Sequence, residues 1–480
     1  MEVAFVGGGI GSLTAALLLS KQGKKVTIYE RNTRLGGRLA YQEGGGYRID
    51  QGPTIVLLPE MLLSILEEAG IERSRIPLLE CDPLYRIHYA DGTVFHKWRN
   101  KRRQIKELQR LFPEEVEGFQ SYMEDMEKAF VQGKEAFLEK PFLRKREFYT
   151  LRNISLLTKL KAYKSVRSFA GRYFRNEKLL DAFSLQTLYI GGAPFQSPGL
   201  YTLLPYAEHA FGVWYVKGGY AGLVTILEEE LRRRHILIRT ETSIEGLVMD
   251  AGRCVGVKVA DGGEYRHEAV VFNGDFPHLT KLLPKDTVPQ KAYKPSSGTI
   301  LIYLGLKKQW VQTAVHQFFL PQELTHGLKD IFMKNKLPKD PSFYIFYPTA
   351  IDPDAAPPGE SVMYMLLPSP PHGSVTWEDE LPALVDHVID EAEKRGFPGL
   401  RAAIQWKEVR SPKDAESEGL YQGGSFGIAP TFGQSAVFRP QIVPYPIEGL
   451  YAVGASVHPG GGIPIVMQGA KLLANHLLKE

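Results

Sequence analysis

The chain has 480 residues, a formal net charge of +4, 44% hydrophobic and 23% charged residues. This balance suits a folded chain with substantial cores and excludes disordered, fibrous and strongly polyionic classes. The two cysteines, Cys81 and Cys254, form neither a metal-ligand spacing nor a disulfide framework, and the expectation is two buried thiols in a reducing cytoplasm, with no metal. No apolar run reaches the roughly 18 residues needed to span a bilayer. The apolar start follows Glu2 rather than a basic segment, so it reads as a strand and not as a signal peptide.

In chain order, Val3–Val6 forms a short apolar strand, Gly7-Gly8-Gly9-Ile10-Gly11-Ser12 a glycine turn, and Leu13–Leu19 a helix. Strand, glycine turn and helix opening are the parts of a dinucleotide site. Gly7 allows the tight turn. Gly9 lets backbone approach a pyrophosphate on the helix N-terminus, where free N–H groups favour negative charge. Ser12 stands where a third glycine is usual and is small enough for helix–strand packing. A second strand, Lys25–Tyr29, ends in Glu30, placed to accept the hydroxyls of an adenosine ribose. Arg31 follows, and then Gly36-Gly37-Arg38, where slim backbone and a guanidinium suit a diphosphate. Two strands around Gly44-Gly45-Gly46 lead to Asp50-Gln51-Gly52-Pro53-Thr54. The order Gly-Gly-Arg after the ribose acid resembles the FAD-containing amine oxidase and carotenoid desaturase superfamily. No second fingerprint of this kind follows, so electrons are expected from the substrate rather than from a nicotinamide.

Dinucleotide-fold signals recur near Trp214–Gly219, with a helix over Leu223–Arg234 and strands at Ile236–Arg239, Ser243–Asp250, Cys254–Ala260 and Ala269–Phe272. They recur again from Gly449 through Ser456 to Pro464, where a final helix starts. The intervening stretches hold strands such as Thr299–Leu304 and Val362–Leu367 and a helix over Leu381–Arg395. The expected fold is α/β: a discontinuous Rossmann-like FAD-binding domain of amine-oxidase type from residues 1–80, 214–290 and 411–480, and an α+β substrate and membrane-contact domain from 81–213 and 291–410.

One segment stands out for its net positive charge. Lys140–Lys178 has twelve Lys and Arg against Glu147 and Glu177, a formal +10, with seven aromatic residues interleaved. Leu156, Leu160, Tyr163, Val166, Ala170 and Tyr173 recur at helical spacing. A basic amphipathic helix suits an anionic bilayer surface; a solvated face on an ordinary core helix is the alternative. Nothing else in the chain points to nucleic acid.

Gly423–Pro430, Phe438-Arg439-Pro440 and Leu450–Pro464, with Leu185–Gly192 and Gly212–Gly219, together resemble the bacterial phytoene-desaturase family. They run closest to diapophytoene desaturases, over essentially the whole chain. In 291–410, Ser296-Ser297-Gly298 and His316-Gln317-Phe318-Phe319 resemble the related terminal-methyl oxidases. The resemblance implies an FAD-dependent enzyme that inserts double bonds into a long isoprenoid held in a dry tunnel, with oxygen or a quinone as acceptor, at the inner face of the cell membrane. Methyl-group oxidation, flavin-dependent isomerisation and a flavin-free prenyl carrier are the alternatives. It also implies a cofactor set of Gly7, Gly9, Ile10, Gly11, Ser12, Glu30, Arg31, Gly37, Arg38, Pro53, Thr54, Ile244, Gly454, Ala455, Ser456, Gly462, Ile463, Pro464 and Met467. Arg146 and Glu147 correspond to the family's arginine–acid pair, and His458 either polarises the flavin or braces its loop.

Overall fold

The computed structural model describes residues 1–159, 161–373 and 375–479, with Lys145 described by its backbone alone. Strand β1 (Glu2–Val6) leads through the glycine turn into helix α1 (Ile10–Lys21), and β2 is Lys25–Tyr29. Helix α2 (Gly219–Arg233), β3 (Leu237–Arg239), β4 (Ala269–Phe272), β5 (Leu450–Ala452) and helix α3 (Ile463–Leu477) complete the first unit of structure. The five strands form one parallel sheet in the order β5-β4-β1-β2-β3. β1 is central, with β2 on one side and β4 on the other, so the strand order reverses at β1. A crevice opens there at the carboxyl ends of the strands.

Ile10 through Leu19 of α1 are all buried, because the helix is covered by the sheet, α2 and α3. A helix enclosed on all sides needs no polar face. Cys81 and Cys254 are both buried free thiols.

A second, seven-stranded sheet has the order 404–410, 298–306, 361–369, 343–346, 316–319, 85–88 and 94–97. All its pairings are antiparallel except that between 316–319 and 85–88. Alternation sorts its two faces. Ile300, Ile302 and Leu304 pack with Val388 and Ile389 of the helix Trp377–Arg395. Leu301 and Tyr303 turn to the opposite side, into a core rich in Phe and Tyr that includes Phe318, Tyr344 and Tyr364.

Most expected elements differ from the observed ones by a residue or two at their ends. Three differences have a larger physical cause. Helix α2 begins at Gly219 rather than Leu223, because the Asp50 carboxylate accepts the N–H groups of Tyr220 (2.9 Å) and Ala221 (3.0 Å) and so caps a turn that looks like loop. The helix expected from Leu381 starts at Trp377 and carries Pro382 inside it.

The third difference overturns the amphipathic helix over 140–178. The segment breaks into short helices, Lys145–Phe148, Leu151–Lys159 and Val166–Ala170. Lys161 has a positive φ of 45°, and the Ser165 side chain caps a new start by accepting the Ser168 N–H. Leu156, Val166 and Ala170 are buried while Tyr163 is 66% exposed. The apolar residues thus serve separate packing sites rather than one stripe. Leu160 of that pattern lies outside the described residues.

Candidate cofactor and substrate site

A cavity of about 1210 Å³ extends from the carboxyl ends of β1, β2 and β4 to the aromatic face of the seven-stranded sheet. Its polar wall is formed by the turn after β1, by Glu30 and Arg31 after β2, by Gly37 and Arg38, by Asn273, Gly274 and Asp275 after β4, and by the loop from Gly454 to Pro464. The opposite wall is apolar, with Phe137, Leu185, Leu188, Leu203, Phe318 and Leu366 among its residues.

Backbone dictates the polar wall. Gly7 has φ +101°, and a Cβ there would lie 3.2 Å from the backbone of Asn273. A Cβ on Gly9 or Gly11 would come within 2.5 Å of the Asn273 amide. In the orientation that satisfies both of its ends, that amide accepts the Gly9 N–H and donates to the Val453 carbonyl, each at 3.1 Å. Gly9 therefore serves the seating of Asn273 as well as the slim approach expected from its sequence position. Beyond the Gly9 N–H, which Asn273 accepts, the first turn of α1 faces the cavity with the N–H groups an anion requires. The Glu30 carboxylate accepts the Gly8 N–H at 2.8 Å and the Asn32 N–H at 2.9 Å, which aims it along the cavity wall. These features fit a dinucleotide: a glycine cradle, a helix N-terminus and a buried acid after the second strand.

Two guanidinium groups enter the same wall. Arg38 Nη2 donates to Asp275 Oδ2 at 3.2 Å, and Asp275 also accepts the Tyr421 N–H (2.9 Å) and the Ser456 hydroxyl (2.7 Å). Arg439 is buried and donates to the carbonyls of Gln434 (3.1 Å) and Ala455 (2.6 Å).

Of the cofactor residues expected from sequence, Gly7, Gly9, Ile10, Gly11, Glu30, Arg31, Gly37, Arg38, Pro53, Thr54, Ile244, Gly454, Ala455, Gly462, Ile463 and Pro464 line this cavity. Ser12, Ser456 and Met467 stand behind its wall. Ser12 and Met467 are fully enclosed in packing, and Ser456 links Asp275 to the Ile428 N–H.

The expected catalytic residues separate. His458 is buried on the cavity wall, its Nε2 3.0 Å from the Lys140 carbonyl, and burial holds its pKa down at about 4, so it is neutral near pH 7. Arg146 and Glu147 are exposed on the short helix Lys145–Phe148 and are not among the residues that line the cavity. The Glu147 carboxylate accepts the Arg144 N–H at 3.2 Å. Neither Arg146 nor Glu147 lines the cavity, so neither is placed to meet a hydrocarbon held in it.

Tyr344, Asn273, Asp275 and Arg439 join the expected residues at the cavity. The Thr54 hydroxyl lies 2.8 Å from the Tyr344 hydroxyl, which lies 2.6 Å from His316 Nδ1. Thr54 and Tyr344 line the cavity; His316 is fully buried behind them, and burial lowers its pKa to about 3. Asn273, Asp275 and Arg439 had visible sequence signals: the first two end a strand of the nucleotide sheet, and the third sits in the Phe438-Arg439-Pro440 motif. The links of Asn273 to the glycine turn and of Asp275 to Arg38 join segments far apart in the chain.

A parallel sheet with a glycine turn and a buried acid at its switch point, open to an apolar chamber, defines a dinucleotide-binding protein. The chain belongs to the flavin containing amine oxidoreductase family, whose model matches residues 13–478. It is 49% identical over 480 residues to a 4,4'-diapolycopen-4-al dehydrogenase of Metabacillus indicus, covering 100% of this chain and 97% of that protein. It is 32% identical to a 4,4'-diapophytoene desaturase (4,4'-diapolycopene-forming) of Methylomonas sp, covering 98% and 94% respectively. Among solved structures, an oxidoreductase from Methanosarcina mazei shares the fold, with a TM-score of 0.67 at 15% identity and 100% of both chains covered. The protein has the α/β FAD-binding fold, is an FAD-dependent oxidoreductase, and takes FAD as its cofactor.

Proposed function

We propose that the protein is a carotenoid desaturase that oxidises a linear thirty-carbon polyene precursor, 4,4'-diapophytoene, with phytoene as the longer homologue. The observation that carries this reading is one continuous cavity with a polar nucleotide wall facing a long apolar wall. That geometry holds a hydrocarbon against a flavin and keeps water out.

Residues 1–80, 214–290 and 411–480 form the cofactor domain in this reading, and 81–213 with 291–410 the substrate domain. The turn Gly7–Gly11 and the α1 N-terminus hold the diphosphate, Glu30 the ribose, and Arg38 with the loop Gly454–Pro464 the flavin side. When bound, FAD supplies a two-electron hydride acceptor. The protein's share is placement. Leu185, Leu188, Phe318 and Leu366 hold the chain in extended form against the reacting face and shield that face from water. Neutral His458 braces the loop through the Lys140 carbonyl. With no nicotinamide fingerprint, oxygen or a membrane quinone takes the electrons away.

We place this activity at the inner face of the cell membrane, with the protein bound peripherally. No helix among the described residues is long and apolar enough to cross a bilayer. Among the described residues, six of the eleven large exposed hydrophobic ones fall between 131 and 163, including Val131 (67% exposed) and Leu151 (88%). Phe130, Gly133 and Phe137, beside Val131 in the chain, line the cavity. An exposed apolar patch beside basic residues, next to a cavity wall, suits entry of a substrate dissolved in lipid.

A second reading, oxidation of the carotenoid's terminal groups, draws on the 49% identical relative's name and on the Thr54–Tyr344 hydroxyl pair, which offers hydrogen bonds that a pure hydrocarbon cannot use. One experiment separates the two. The FAD-loaded protein is mixed anaerobically with 4,4'-diapophytoene or with 4,4'-diapolycopen-4-al, and flavin bleaching is followed with product analysis. Bleaching by diapophytoene with red-shifted polyene products, independent of NAD(P)H, supports desaturation. Bleaching only by the aldehyde, with a carboxylic acid product, moves the protein to terminal oxidation.

A further inference from the structure

Arg439 is a buried cation without a carboxylate. Only 5% of it is exposed, and its Nε has no hydrogen-bond partner. Its other two nitrogens meet neutral carbonyls, those of Gln434 and Ala455. Asp275, whose negative charge acts on it, is already engaged by Arg38, the Tyr421 N–H and the Ser456 hydroxyl. Two guanidinium groups therefore share one carboxylate inside the wall. A buried, unpaired guanidinium is strongly unfavourable and cannot shed its proton. The missing charge must come from what fills the cavity, because Arg439 lines it beside Ala455 and Gly460.

A second feature points the same way. Helix α3, fifteen residues long, begins at Ile463 with Pro464 in its first turn and no side-chain cap, and Gly460 through Ile465 line the cavity. Its N-terminus adds positive potential to the wall that holds Arg439. The α1 N-terminus and Glu30 form the other part of the polar wall, which suits the diphosphate and ribose.

We propose that Arg439 is the counter-ion for the negative charge that reduction places on the flavin ring, and so raises the cofactor's reduction potential. The inference rests on the cofactor site described above. A hydride brings two electrons and one proton to the flavin, leaving one additional negative charge, while the substrate's second hydrogen leaves as a proton to solvent. A preorganised cation in this wall would stabilise the reduced form more than the oxidised form. By linkage, that difference in affinity is the shift in potential.

The test compares wild type with Arg439→Met and Arg439→Lys as full-length, FAD-loaded proteins. The two-electron potential is measured by dye equilibration, and sulfite, which adds to flavin and leaves a negative charge, is titrated spectroscopically. Arg439→Met is expected to lower the reduction equilibrium constant at least tenfold, about 30 mV, and to weaken sulfite binding at least tenfold. Arg439→Lys should retain most of both. Freed of FAD, Arg439→Met should melt no lower than wild type, because its unpaired charge is gone. Unchanged potential and sulfite affinity with FAD still bound would overturn the proposal and leave the cofactor site standing. Equal loss of oxidised and reduced FAD would assign Arg439 to the diphosphate instead. An apoprotein destabilised by Arg439→Met would reduce the residue to a tie between the 434 and 455 carbonyls. A wild type that binds no FAD would sink the site itself.

Discussion

Lys97 Nζ lies 3.3 Å from Glu208 Oε2, and both side chains are wholly enclosed. The Tyr85 hydroxyl (2.6 Å) and Gln186 Nε2 (3.0 Å) donate to the same carboxylate oxygen. The pair sits behind the cavity wall, where Leu185 and Tyr189 face the chamber, and it ties the strand 94–97 to the helix Leu203–Phe211. Burial draws the Lys97 pKa down, opposed by Glu208.

Removing one partner leaves the other charge buried alone. Lys97→Met is expected to destabilise by about 3–5 kcal/mol, and Lys97→Met with Glu208→Gln by clearly less, since no bare charge remains. Urea denaturation of the three proteins checks this. Additive losses would show that the two groups are not coupled.

The glycine turn predicts cofactor loss without unfolding. Gly9→Val drives a side chain into the Asn273 amide, 2.5 Å from the position of its Cβ, and breaks the bridge to Val453. FAD should bind at least tenfold more weakly, about 1.4 kcal/mol. Glu30→Ala loses an acceptor whose charged hydrogen bonds are worth about 1.5–3 kcal/mol each. Flavin absorbance per protein after gel filtration gives the readout. Full flavin content in both variants would refute the assignment.

Asp50 makes stability depend on pH. Burial raises its pKa from 3.8 to about 6, against the lowering effect of the Ala221 and Tyr220 N–H groups. The folded state then holds its proton more tightly than the unfolded chain. The associated stability is fully present below about pH 4 and is lost as pH rises through about 6. At about 1.4 kcal/mol per pKa unit, the decline approaches roughly 3 kcal/mol. Asp50→Asn should lack this slope, so the gap between wild type and variant narrows from pH 4 to pH 7. Parallel stability curves for the two proteins would contradict the assignment.

Membrane binding is expected to depend on the exposed apolar patch as well as on charge. Leu151→Asp with Ile154→Asp changes two exposed positions on one short helix and should abolish cosedimentation with anionic liposomes. Arg144→Gln, Arg146→Gln and Lys161→Gln together should weaken it mainly at low salt, since exposed charges are screened beyond about 8–10 Å. Unaltered binding by both variants would make the segment an ordinary solvated face.

The nucleotide half was legible because its determinants are local. Strand, glycine turn, helix and ribose acid lie within the first thirty residues, as short apolar runs bounded by glycines or charged residues. Those short-range rules also locate β4, β5 and α3. They do not reveal that Asn273 seats the glycine turn or that Asp50 starts α2, since each contact joins segments far apart in the chain. They misjudge 140–178, where helical spacing is real but Phe142, Phe148, Phe169 and Phe174 are drawn into the core, breaking one expected helix into three. Arg439 is only a motif residue in sequence. That it is a buried cation with no carboxylate follows from the tertiary structure alone, because Asp275 is given to Arg38 when β4, the Gly37–Arg38 turn and the 434–455 segment converge. Local backbone preference and hydrophobic period are written residue by residue, whereas the pairing of buried charge is settled only when distant segments compete for the same partners.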